Sequence, residues 1–107
     1  MTSARQDKMR QLLRELAANF FNREAGRQSL ITVTDATISP DFKQATIYIT
    51  TIPSSEEEKA LEFARRKRSE LREFLKDAKF RTLPLLEVKL DMGERNRQKI
   101  DDLLVQG

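Results

Sequence analysis

The sequence predicts an α+β domain: a three-stranded sheet with helices packed on one face, in the order α-β-β-α-β. Three observations predict it. Two β-branched runs flank a Ser39-Pro40-Asp41 turn, which makes an antiparallel hairpin. Apolar residues recur at three- and four-residue spacing before and after that hairpin, the mark of amphipathic helices. A third alternating run follows the second helix, and a helical crossover permits parallel pairing. The chain has 107 residues and reads as one domain, 1–107, large enough for one modest core.

The elements follow in order. Residues 4–23 form a helix, with Met9, Leu12, Leu13, Leu16, Ala17, Phe20 and Phe21 on one stripe and Arg10, Arg14, Glu15 and Asn19 opposite. Gly26 suits the positive φ of a helix C-terminus. Residues 30–38 form the first strand. Pro40 fixes φ at the second turn position, and Ser39 and Asp41 are good turn formers. Residues 43–52 form the second strand, where Ala45, Ile47 and Ile49 alternate with Thr46, Tyr48 and Thr50. Ser54 with Glu57, or Ser55 with Glu58, predicts a capping box. A long helix then runs from about Glu56 to Lys79. Its stripe is interrupted between Ala64 and Leu71, which predicts a bend or a change of packing face. Pro84 opens the third strand, Leu85 to Met92, with Leu86, Val88 and Leu90 on one side. Glu94 to Val105 reads as a short terminal helix carrying Ile100, Leu103 and Leu104.

Composition excludes several kinds of chemistry. Cysteine and histidine are both absent. Disulfides, thiolate nucleophiles and the commonest metal ligands go with them, as does the usual neutral-pH acid–base group. Carboxylates are plentiful but lie among lysines and arginines on helical surface. No enzyme is expected, and no metal or cofactor. No apolar run approaches the length of a membrane span, and Met1 to Arg10 lacks an apolar leader segment, so a cytoplasmic protein is expected. Net charge is only +3, yet residues 65–81 hold eight basic against three acidic side chains. That concentration suits a polyanion.

The run from Ile31 to Ile49, with Ser39-Pro40-Asp41 followed by Ala45-Thr-Ile-Tyr-Ile49, resembles the central signature of the ribosome-binding factor A family, roughly V-T-V-T-x-V-x-V-S-P-D-L-x-x-A-x-V-Y-V. Arg81-Thr-Leu-Pro84 and the strand up to Asp91 resemble the family's R-x-x-P-x-L-x-F-x-x-D. Lys99-Ile100 with Leu103-Leu104 resembles its ending. The resemblance spans essentially the whole chain. It implies a type II KH-like fold. It also implies binding to the small (30S) ribosomal subunit, help in late maturation and 5′-end processing of 16S rRNA, and a part in cold adaptation. A monomer is expected. There are departures. The family's small-residue kink in the long helix falls on Lys67-Arg68-Ser69, where only Ser69 keeps the small residue. As in the family, there is no G-x-x-G loop, which argues against a generic KH sequence reader.

The leading RNA-binding candidates are Arg65, Arg66, Lys67 and Arg68, extended by Arg72, Lys76, Lys79 and Arg81. Positions 65, 68, 72, 76 and 79 lie along one side of a helix and could track a phosphate backbone. The plainer account is a solvated face balanced by Glu62, Glu70, Glu73 and Asp77. Four consecutive cations exceed what such pairing explains. Arg95, Arg97 and Lys99 form a smaller second cluster. Arg5, Lys8, Arg10 and Arg14 read as a surface face rather than a site. Tyr48 and Phe42 could stack on bases, but fit better on the outer sheet face and over the hairpin. A general KH-like RNA-binding module and a protein-interaction adaptor are the alternatives to an rRNA assembly factor.

Overall fold

The computed structural model describes residues 4–24, 30–52, 54–78, 80 and 83–93. The expected helix end at Gly26 and the expected terminal helix lie outside them. The elements are α1 (Ala4–Glu24), β1 (Leu30–Ile38), β2 (Gln44–Ile52), α2 (Glu57–Arg66), α3 (Arg68–Asp77) and β3 (Leu85–Leu90). The sheet runs β1-β2-β3, antiparallel between the first two strands and parallel between the last two.

The core explains the layering. Leu13, Ala17, Phe20 and Phe21 of α1, Ala60 and Ala64 of α2, and Leu71 and Leu75 of α3 are buried with Ile47, Ile49 and Val88 of the sheet. Tyr48 and Thr50 take the other, half-exposed face of β2. Phe20 links the helices by meeting Phe21 edge-on at 5.3 Å and Phe74 at 5.7 Å. Two positions of the expected stripes turn outward: Leu12 is 41% exposed, and Ala78 is exposed at the end of α3.

Strand β1 contains a bulge that the alternation alone did not announce. Ile31 and Val33 are buried, then Ala36, so the inward phase slips by one residue. The register shifts between Val33 and Asp35, leaving Thr34 as the extra residue. The Thr34 hydroxyl lies within hydrogen-bond distance of both Asp91 Oδ2 (2.5 Å) and the Tyr48 carbonyl (3.3 Å), which ties β1 to the end of β3.

The hairpin forms as expected, with one addition. The Phe42 amide donates to the Ser39 carbonyl (2.9 Å), closing the turn around Pro40 and Asp41. Phe42 then adopts φ 60°, the left-handed region. Arg5 of α1 lies 5.3 Å above its ring.

The Ser55–Glu58 form of the capping box is a correction; the Ser54–Glu57 form is left open. A 3-10 turn occupies Ser54–Glu56, so Ser55 lies inside the turn. Glu56 holds the cap position with no side-chain cap hydrogen bond. The Ser54 side chain lies outside the described residues. The acidic first turn of α2, Glu57 and Glu58, still complements the helix dipole.

The single long helix is also divided. Lys67, at φ −90° and ψ 4°, interrupts it. The Lys67 amide is shared between the carbonyls of Phe63 (3.1 Å) and Ala64 (3.2 Å), and the Leu71 amide restarts the helix on the Lys67 carbonyl (2.9 Å). The interruption falls two residues before Ser69, which is the second residue of α3 and exposed. Helix α3 ends where the Phe80 amide donates to the Leu75 carbonyl (2.9 Å), a Schellman-type bond between two buried apolar residues.

Candidate nucleic-acid interface

The break at Lys67 sets the geometry of the basic segment, which flanks β3, one edge of the sheet. Arg65 approaches Glu87 Oε1 of β3 at 3.5 Å, and Arg68 approaches Oε2 of the same carboxylate at 3.9 Å. Arg68 Nε also donates to the Arg65 carbonyl (3.1 Å), capping the end of α2. Lys67 pairs with Glu70 at 3.2 Å and lies 5.7 Å from the Phe63 ring. Arg72 donates to the Leu83 carbonyl (2.9 Å), fastening α3 to the segment that leads into β3. Its Nε is buried without a hydrogen bond.

Arg66 and Lys76 differ from these. Both are exposed, and neither makes an ion pair or hydrogen bond with a described residue. The candidate cations therefore divide. Arg68 and Arg72 serve the fold, Arg65 and Lys67 rest on carboxylates, and Arg66 and Lys76 point charge at solvent. Lys79, Arg81, Arg95, Arg97 and Lys99 lie outside the described residues.

The electrostatic balance follows from exposure. Arg65, Arg68 and Glu87 have side chains 44%, 42% and 44% exposed. Ion pairs this wet contribute about 0–1 kcal/mol. One carboxylate also cannot neutralise two guanidiniums. Phosphates can compete for both arginines at little cost, while Arg66 and Lys76 need not be released from any partner among the described residues. Sequence reasoning missed Glu87. It expected Glu62, Glu70, Glu73 and Asp77 to balance the cations, yet Glu87 binds two of them from 22 and 19 positions away. Only the alternation of charge at Glu87 and Lys89 on the outer face of β3 hinted at it.

Phe20 and Phe80 are core, and Phe63 and Phe74 pack against it. Among the described residues no group of acidic, histidine or cysteine side chains could hold a metal ion. No helix among them is long and apolar enough to cross a membrane.

A family model described as ribosome-binding factor A matches residues 5–104. The chain belongs to the ribosome-binding factor A family. Solved structures agree. The crystal structure of ribosome-binding factor A from Thermus thermophilus superposes with a TM-score of 0.70 at 23% identity, over 79% of this chain and 94% of that one. A homology model of the Thermus thermophilus ribosome-binding factor A, fitted into the cryo-EM map of its complex with 30S, gives 0.65 at 24% identity, over 75% and 88%. A solution NMR structure of a Thermotoga maritima protein, provisionally named a ribosome-binding factor A, gives 0.66 at 17% identity, over 85% and 89%. At these identities the likeness shows the fold, which is the KH-like arrangement of this family. No curated protein sequence matches the chain significantly.

Proposed function

We propose that this member of the ribosome-binding factor A family is a non-catalytic assembly factor. It binds the small (30S) ribosomal subunit and assists late maturation and 5′-end processing of 16S rRNA, including during growth in the cold. It works as a monomer in the cytoplasm. The observation that supports this reading best is the cationic surface around the α2–α3 break. There Arg66 and Lys76, unpaired among the described residues, stand beside Arg65 and Arg68, whose ion pairs to Glu87 are exposed to solvent. Such a surface neutralises phosphates and releases their counterions. It recognises folded RNA by shape and charge rather than by reading a long single strand. Binding would bias the rRNA toward one of two arrangements, because a factor that holds both equally shifts neither.

The test is co-sedimentation with immature small subunits over a salt series. The protein is expected to migrate with the subunits at low salt and to leave them as salt rises. Absence from the subunit fraction at low salt would overturn the proposal. Retention after ribonuclease treatment would replace RNA with a protein partner.

A further inference from the structure

A second basic region lies at the opposite edge of the sheet, where α1 packs beside β1. A cleft of about 440 Å³ opens there, with Ala18 and Val33 as its apolar lining. Arg10 and Arg14, one helical turn apart on α1, line it, and so do Glu15 and Asp35.

Three observations mark this cleft as chemically unfinished. Arg10 Nε is buried and makes no hydrogen bond, and its ion pair to Asp35 is long, 3.6 Å. Arg14 and Glu15 are exposed and have no partner among the described residues. The β1 bulge falls between Val33 and Asp35, at the cleft itself. Bulges re-aim side chains and occur beside binding sites more often than chance allows.

The mixture of charges selects the ligand. A bare phosphate or an acidic peptide would meet the carboxylates of Glu15 and Asp35. A basic peptide would meet the two guanidiniums. A duplex is too bulky for a cleft of this volume. An unstacked nucleotide offers its phosphate to arginine, the amine edge of its base to carboxylate, and its flat face to an apolar lining.

We propose that the α1–β1 cleft binds one unstacked nucleotide of single-stranded RNA, with its phosphate on Arg10 and Arg14 and an amine-bearing base edge on Asp35 and Glu15. The site extends the proposed function, since rRNA would supply the nucleotide, but its chemistry stands on the cleft alone.

The experiment is an NMR titration of the full, isotope-labelled chain with the single-stranded tetranucleotide ACAC, and separately with inorganic phosphate. ACAC is expected to shift the amides of Arg14, Ala18, Val33 and Asp35 saturably. Arg14→Glu is expected to weaken that binding at least tenfold. Arg14→Ala is a second variant should the reversal disturb folding, with an expected loss of severalfold. Shifts confined to residues 65–76, the absence of saturable shifts, or phosphate binding as tightly as ACAC would overturn the proposal. Co-sedimentation of the same preparation separates the two readings. A silent cleft in a protein that migrates with small subunits overturns the nucleotide site and leaves the function standing. A filled cleft in a protein that ignores subunits does the reverse.

Discussion

Arg72 looks on sequence like any other cation of its row, yet its guanidinium holds the Leu83 carbonyl. Removing it deletes that charge-assisted hydrogen bond, which water can replace only in part as a tie between α3 and the segment before β3. Arg72→Ala is therefore expected to destabilise the fold by about 1–2 kcal/mol, which lowers the melting temperature by roughly 4–8 °C per kcal/mol in a domain near this size. Arg66→Ala should leave it unchanged within error. Thermal denaturation followed by circular dichroism checks both. Asp41 gives a second prediction. Its carboxylate accepts from the Ser39 hydroxyl (2.6 Å) and the Lys43 amide (3.0 Å), and these bonds hold its pKa below the ordinary value. A depressed folded-state pKa adds stability above the unfolded value and loses it as pH falls through the folded one. The hairpin should weaken below about pH 4, and Asp41→Asn should remove that part of the acid dependence in unfolding titrations. The turn itself was readable from Pro40 and Asp41. The positive φ at Phe42 was not, because a bulky aromatic is a poor signal for the left-handed region. The partner of Arg72 was not readable either, because a backbone carbonyl has no sequence signature.

The strands were the most readable elements. β2 alternates cleanly, β1 is rich in β-branched residues, and their observed limits differ from expectation by at most one residue. The bulge escaped notice although Val33 and Ala36, three apart and both inward, encode it. Two polar residues, Thr34 and Asp35, fill the gap, so a slipped phase resembles ordinary outward positions. In the long helix, the stripe break between Ala64 and Leu71 did foretell an interruption. It could not fix the place, since that depends on how the Lys67 amide divides itself between two carbonyls. The placement of α2 and α3 against β3 carries its own prediction. Glu87→Gln removes the carboxylate shared by Arg65 and Arg68. The two guanidiniums then meet phosphate unopposed, and affinity for small subunits should rise roughly three- to tenfold, as expected from about one added phosphate contact. Stability should change by less than about 1 kcal/mol, because the pairs are exposed. Filter binding together with thermal denaturation separates the two effects.

For the whole molecule, the length of the helical connection permitted the parallel return of β3 but did not say that β3 would pair with β2, and helices on a single face followed from the inward set of β2. The distribution of free charge did not follow from sequence. Arg65 and Glu87 are remote along the chain and meet only once the helices lie beside the sheet edge. The combined charge reversal of Arg66, Lys67 and Arg68 tests the ridge as a unit. Subunit affinity is expected to fall at least tenfold, and the slope of log affinity against log salt to flatten by roughly 0.7–0.9 per lost phosphate contact. An unchanged slope would move the interface to another surface. Glu87 has one more consequence. By occupying two arginines with a single weak hold, it would, on the proposed function, act as a resident decoy for phosphate at those arginines. A floppy strand offering one phosphate at a time must contend with that decoy repeatedly, whereas a folded RNA offering two at fixed spacing displaces it in one event. On that proposal the carboxylate would set a threshold: attachment would depend on how well ordered the RNA already is, and Glu87 would reclaim the arginines when the factor departs.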